Sequence, residues 1–120
     1  MSKLHIAAYG GKFEECKRQV ELGVDVNIKT KYGSYTAAME ASKEGYEDIV
    51  RYLHEHGADL NIQDNNGWTA LMYAVRRENE GIVKYLHQHG ADLNVKNNKG
   101  ETAVIEAVKH EYLGYFQVST

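Results

Sequence analysis

The 120-residue chain contains no proline and a single cysteine, Cys16. One cysteine excludes an intrachain disulfide and favours a reducing compartment. Without proline, no helix start is fixed by a ring in its first turn, so other residues must begin the helices. No segment approaches the roughly 20 apolar residues that span a bilayer. The opening stretch, MSKLHIAAYGGKF, carries too short an apolar run for a secretory leader. The expected location is therefore cytoplasmic or nuclear, with no membrane contact. Neither sign of charge dominates: a net charge of −3 gives no general reason to expect nucleic acid. A glycine-rich phosphate loop, a nucleophile elbow and an HExxH pair are all missing, which argues against an enzyme. The remaining composition, 42% hydrophobic and 26% charged, is ordinary for a globular chain long enough for one compact domain or a short solenoid.

What is present is a repeat. The stretch 49–62, IVRYLHEHGADLNI, returns at 82–95 as IVKYLHQHGADLNV, with 11 of 14 positions identical at an offset of 33. Such a period marks units that bury their apolar faces only against their neighbours. Thr36, Thr69 and Thr102 share the spacing, and each opens a helical stretch whose first-turn N–H groups a threonine can cap. Gly23, Gly57 and Gly90 close the second helices, where glycine permits the left-handed conformation. The Asp and Asn residues that follow (Asp25, Asn27; Asp59, Asn61; Asp92, Asn94) favour turns. Asn27 to Asn61 is 34 residues against 33 for the next pair, so the first loop, KTKYGSYT, should lengthen at its tip.

GADLN at a period of 33, preceded by a helical pattern, resembles the ankyrin repeat. The resemblance implies an all-α solenoid of about three and a half repeats, built of antiparallel helix pairs with projecting β-hairpin loops. It divides 1–120 into an N-terminal capping repeat (1–30), two repeats (31–64 and 65–97) and an incomplete C-terminal repeat (98–120). The first unit starts directly in a helix, Lys3–Tyr9, followed by a second from about Phe13 to Leu22. Departures are visible: the family usually reads TPLH where this chain has Thr-Ala, and prefers Val where Cys16 stands. The last unit ends in Tyr115-Phe116-Gln117-Val118, so Tyr112, Leu113, Tyr115 and Phe116 are expected to form a short irregular cap.

The candidate chemistry reads mostly as structure. His54/His56 and His87/His89 repeat at the 33-residue period, but residues two apart on a helix point about 200° apart and do not chelate together. The resemblance places His54 and His87 where Leu is usual, so partial burial and hydrogen bonding are expected. No metal, no cofactor and no small-molecule substrate are expected. Cys16 reads as a buried inert residue. Glu44, Glu47 and Asp48 read as a solvated helix start, and Tyr52 and Tyr85 as packed rings with edge hydroxyls.

Partners of ankyrin repeats usually lie on the concave side, on the loop tips and the first helix of each repeat. By position this names Tyr32, Tyr35, Asn66, Trp68, Tyr73, Arg76, Arg77, Glu101 and Lys109. Trp68 is the only tryptophan, and Trp, Tyr and Arg dominate binding hot spots. The expected site is a groove centred on Trp68, Tyr73, Arg76 and Arg77, its arginines favouring an acidic or phosphorylated segment of a partner protein. Trp68 folded over Tyr35 or the next loop is the plainer reading of that residue. The alternative function is a structural spacer or self-association module, with the C-terminal end as the contact of an otherwise monomeric chain. Nucleic-acid binding through Lys29, Lys31, Arg76, Arg77, Lys96 and Lys99 is disfavoured by the acidic total. The resemblance also marks Asn61 and Asn94 as positions like those hydroxylated in some ankyrin repeats.

Overall fold

A computed structural model describes residues 2–112. It contains seven short helices: α1 (Lys3–Tyr9), α2 (Phe13–Glu21), α3 (Ala37–Glu44), α4 (Glu47–Glu55), α5 (Ala70–Arg77), α6 (Glu80–Gln88) and α7 (Ala103–Lys109). They stack as two rows. The inner helices α1, α3, α5 and α7 pack in sequence, and the outer helices α2, α4 and α6 lie behind them, in a body of 48 × 25 × 21 Å. The all-α solenoid follows from helices too short to form a core alone.

The threonines act as read from the sequence. The Thr36, Thr69 and Thr102 hydroxyl oxygens accept from the N–H groups of Met39, Met72 and Ile105. In the first unit Ser2 takes this place, accepting from the His5 N–H at 3.2 Å. Alanine does more than begin helices. Ala37, Ala38 and Ala41 face Ala70 and Ala74, all nearly inaccessible to solvent. Small side chains let neighbouring inner helices approach closely, while Ile49, Val50, Leu53, Ile82, Val83 and Leu86 fill the space between the rows. Cys16 is fully buried in this core, and burial, foremost, pushes its thiol up to about 11.

Each helix pair ends in a left-handed glycine, Gly23, Gly57 or Gly90. The aspartate two residues on then accepts from the asparagine N–H in the expected turn. The asparagine side chains reach further. The Asn27 amide donates to the Gly57 carbonyl at 3.2 Å and its oxygen accepts from the Asp59 N–H at 2.8 Å. Asn61 does the same with Gly90 and Asp92, at 3.3 and 2.8 Å. These residues tie each repeat to the next.

The loops project as turns, their ends joined by one backbone bond apiece, from the N–H of Thr30, Asp64 and Asn97 to the carbonyls of Tyr35, Trp68 and Glu101, all 2.9 Å; Gly67 and Gly100 N–H close a tighter turn inside the second and third. Single bonds also join successive loops, Asn65 N–H to Gly33 O and Asn98 N–H to Asn66 O. One bond between the ends of each loop falls short of a strand, and no strand occurs among the described residues. The first loop is longer, as its extra residue requires, with Gly33 and Ser34 both left-handed at φ 86° and 57°. It is anchored from below by His5, fully buried, whose Nε2–H donates to the carbonyls of Ile28 and Tyr35 at 2.9 and 3.0 Å. Burial lowers the pKa of this imidazole, so it serves as a neutral tether. The cap expected from Tyr112, Leu113, Tyr115 and Phe116 lies outside the described residues except for Tyr112, which is half-buried.

Candidate functional site

The concave surface is written by the repeat period. Along the inner helices one register position carries Ile6, Glu40, Tyr73 and Glu106, and the position three residues later carries Tyr9, Lys43, Arg76 and Lys109. The residue before each capping threonine is Tyr35, Trp68 or Glu101, and each meets the cation eight residues on. Lys43 Nζ lies 5.9 Å from the Tyr35 ring centre, the Arg76 guanidinium 4.4 Å from that of Trp68, and Lys109 Nζ 2.7 Å from Glu101 Oε2. The helix returns its second turn toward the loop that precedes it, so the same pair forms three times with different chemistry.

The central repeat is the most elaborate. Asp64 is buried at the loop base, where Oδ1 accepts from the N–H groups of Asn66 and Trp68 at 2.8 and 2.9 Å. Its other oxygen accepts from the Tyr73 hydroxyl. Burial, then this bond, holds the Tyr73 phenol protonated far above its ordinary range. Trp68 packs on Tyr73 with ring centres 5.0 Å apart and carries Arg76 on its face. Trp68 is thus half-buried, with its ring between Tyr73 and Arg76 of its own helix. Asn97 holds its loop in the same way, accepting from the Lys99 and Glu101 N–H groups, while Thr30 in the first loop accepts from the Tyr35 N–H and donates to the Tyr32 carbonyl.

Much of the charge expected to meet a partner is already engaged. Arg76 donates from Nε and Nη2 to Glu106 Oε1 at 3.1 and 3.0 Å, and His110 Nε2 lies 2.9 Å from the same oxygen. Glu106 is 1% exposed, and its second oxygen has no hydrogen-bond partner among the described residues. Lys109 is paired with Glu101, whose carboxyl it holds below the ordinary range. Arg77 is exposed and makes no ion pair among the described residues.

Three shallow hollows follow. One of about 460 Å³ is lined by Lys43, Glu44, Tyr73, Arg76 and Arg77. A second, of about 330 Å³, brings Trp68, Tyr73 and Arg76 beside Asn66, Asn98 and Lys99. The third, of about 420 Å³, lies toward the N-terminal end, where Tyr9, Tyr32 and Tyr35 surround Glu40. The expected groove is therefore divided. Trp68, Tyr73, Arg76 and Asn66 come together, Arg77 joins Tyr73 from the other side, and Tyr32 and Tyr35 belong to a separate hollow. Glu40, Asp64, Glu106 and Tyr9 were not among the expected site residues. The signal that could have named Glu40 and Glu106 is their position, 33 residues on either side of Tyr73.

The paired histidines, His54/His56 and His87/His89, belong to the outer row. His54 is half-buried and hydrogen-bonded through Nδ1 to the Tyr85 hydroxyl at 2.8 Å, as expected; Tyr85 also stacks on His89 at 4.0 Å. His87 is exposed, against expectation. His54 gains its cover from Tyr85, one repeat on, whereas the position one period beyond Tyr85 is residue 118, outside the described residues.

The chain matches the family model described as ankyrin repeats (3 copies) over residues 4–97 and again over 60–118. It is similar to Ankyrin repeat domain-containing protein 40 of Mus musculus, 42% identical over 65 residues, covering 54% of this chain and 18% of that protein. It is similar to 26S proteasome non-ATPase regulatory subunit 10 of Homo sapiens, 35% identical over 61 residues, with 51% and 27% covered. Protein phosphatase 1 regulatory subunit 27 of Homo sapiens is 35% identical over 67 residues, with 56% and 43% covered. The matched stretch is less than half the length of each of these relatives.

Proposed function

This chain belongs to the ankyrin-repeat family, whose members generally serve as protein–protein interaction modules, and on that premise we propose a non-catalytic module that binds a partner protein on its concave face. The array is divided at residues 30, 64 and 97, and the partner presents an acidic or phosphorylated segment. The observation that carries this reading is the hollow around Tyr73, where Lys43, Arg76 and Arg77 outnumber Glu44 and where Arg77 makes no ion pair among the described residues. Guanidinium groups bind carboxylate and phosphate with two parallel bonds, so Arg77 is the primary contact. Trp68 and Tyr73 supply the rigid aromatic surface on which hot spots are built. Two relatives carry regulatory-subunit names, which speak for those proteins; here they support only the class of function.

The test compares the native chain with a Lys43→Ala/Arg77→Ala variant of equal urea midpoint. Proteins captured from lysate by the native chain are purified and their affinities measured for both. Loss of two charge-assisted contacts should weaken binding by roughly tenfold or more, and the native affinity should fall with salt. Equal affinity for the two chains would remove the hollow from the interface. One observation favours the alternative of a spacer or self-association module. Val104, Ile105 and Val108 on α7 are 38%, 42% and 60% exposed, a surface suited to a further packed element. A mass that rises with concentration would support that reading.

A further inference from the structure

The hollow beside Tyr9, Tyr32 and Tyr35 is built differently: its cations, Lys31 and Lys43, are exposed side chains, and its carboxylate, Glu40, is buried. Its buried member is Glu40, 5% exposed, and among the described residues that carboxylate enters no hydrogen bond and no ion pair. Burial raises the Glu40 pKa above its ordinary value, with Lys43 pulling the other way. The Glu40 oxygens are not sealed from solvent as Glu106 Oε2 is, so a partner can reach them, and this fold shows which cation meets the same register position elsewhere. Glu106 occupies the same register position on α7 and takes its cation from Arg76, on the preceding inner helix. Tyr73, the equivalent residue on α5, has Lys43 of the preceding helix near its ring, at 6.0 Å. For Glu40 the corresponding position on α1 is Tyr9. The arrangement that gives Glu106 its cation gives Glu40 a ring instead.

The loop holds the other two walls. Thr30 accepts from the Tyr35 N–H at 2.9 Å and donates to the Tyr32 carbonyl at 2.7 Å. Tyr35 is seated so closely on Gly33 that a methyl group there would overlap its ring. Lys31 and Lys43 stand at the rim, 5.6 and 5.9 Å from the centres of Tyr32 and Tyr35. These distances lie at the outer limit of a cation–π contact, and neither ammonium reaches within ion-pair distance of Glu40. Both lysines are exposed on flexible stems that can swing aside.

We propose that this hollow receives a lysine side chain of a partner segment, its ammonium set against Glu40 as Arg76 is set against Glu106, with the rings of Tyr9, Tyr32 and Tyr35 around it. Aromatic faces attract an ammonium, and one carboxylate satisfies its charge. Lysine brings a compact ammonium with three donors where arginine brings a planar group with five. Enclosed by three rings, lysine therefore leaves fewer donors unpaired than a guanidinium such as that of Arg76, whose side chain is 56% exposed. The proposal rests on the reading of this face as a partner surface but reverses the charge. The partner segment carries a basic residue toward the N-terminal end of the array and an acidic one beyond Lys43.

The probe is the peptide acetyl-Gly-Lys-Gly-amide, titrated into the full chain at low salt while NMR follows the tyrosine rings and the Glu40 carboxyl carbon. Norleucine and arginine peptides are the comparisons. Saturable shifts at Tyr9, Tyr32, Tyr35 and Glu40 are expected with the lysine peptide, and weaker binding with the other two. Glu40→Gln should weaken binding at least tenfold. Tyr9→Arg, which restores the pattern of the last repeat, should abolish binding and raise the urea midpoint of the chain. Lys43→Ala should tighten the lysine peptide severalfold while weakening any acidic partner, so the two sites succeed or fail separately. Equal binding of the norleucine peptide, or no effect of Glu40→Gln, would overturn the proposal; an arginine peptide binding as well as lysine would overturn the choice of side chain.

Discussion

Replacing Asn61 by Ala removes two bonds that cross between repeats, one donated to Gly90 O and one accepted from Asp92 N–H. The turn around Asn61 stays intact, because its closing bond runs from the Asn61 backbone N–H to Asp59. Each intramolecular hydrogen bond is worth about 0.5–1.5 kcal/mol net. Asn61 is exposed and water can replace the lost partners, so the pair is worth about 1–2 kcal/mol in total. With a urea slope near the middle of the usual range, about 2 kcal/mol per molar, the midpoint should fall by roughly 0.5–1 M. Asn94 supplies the control. It has the same sequence context and the same turn bond, but its side chain makes no bridge among the described residues. Asn94→Ala should therefore stay within about 0.5 kcal/mol of the native chain. Urea unfolding followed by circular dichroism measures both. Because the loss sits at one interface between repeats, hydrogen exchange in α6 should accelerate more than in α1. Equal midpoint shifts for the two variants would show that the asparagines act only within their own turns, and the bridging argument would fail.

Two further outcomes are expected. Burial, first, and then the charge of Asp48 set the Cys16 thiol at about 11 against 9.0 for the free group, so native Cys16 should resist iodoacetamide at pH 8 while the urea-unfolded chain reacts readily. Since the folded pKa is the higher one, the thiol's contribution to stability is complete below about pH 9 and is lost as the pH rises toward 11, which urea midpoints on that scale would register. Arg76→Ala leaves the buried Glu106 with His110 alone. Arg76 and His110 are 56% and 44% exposed at their side chains, so the cost should be about 1–2 kcal/mol rather than the larger penalty of a fully buried pair. The double variant Arg76→Met/Glu106→Leu should return to within about 1 kcal/mol of native stability, as a double-mutant cycle on urea midpoints would show.

The repeat period, the threonine caps, the glycine ends and the aspartate turns are legible in the sequence because each acts over a few neighbouring residues. Thr69 needs only the Met72 N–H three residues on, and Asp59 only the Asn61 N–H two residues on. The nearness of Tyr73 and Arg76 was legible for the same reason, since residues three apart share a helix face. The engagement of Arg76 was not, because its partner Glu106 lies 30 residues away on the next inner helix. The bridges of Asn61 and the cover of His54 by Tyr85 are likewise set by stacking. The amino-acid sequence by itself determined which residues form each unit and how the units repeat. Only the tertiary structure decided which concave charges are paired across repeats, because such an ion pair depends on the distance between helices that the sequence separates by about a whole period. It is that stacking which pairs Glu106 with Arg76 and leaves Arg77 and Glu40 without an ion partner among the described residues.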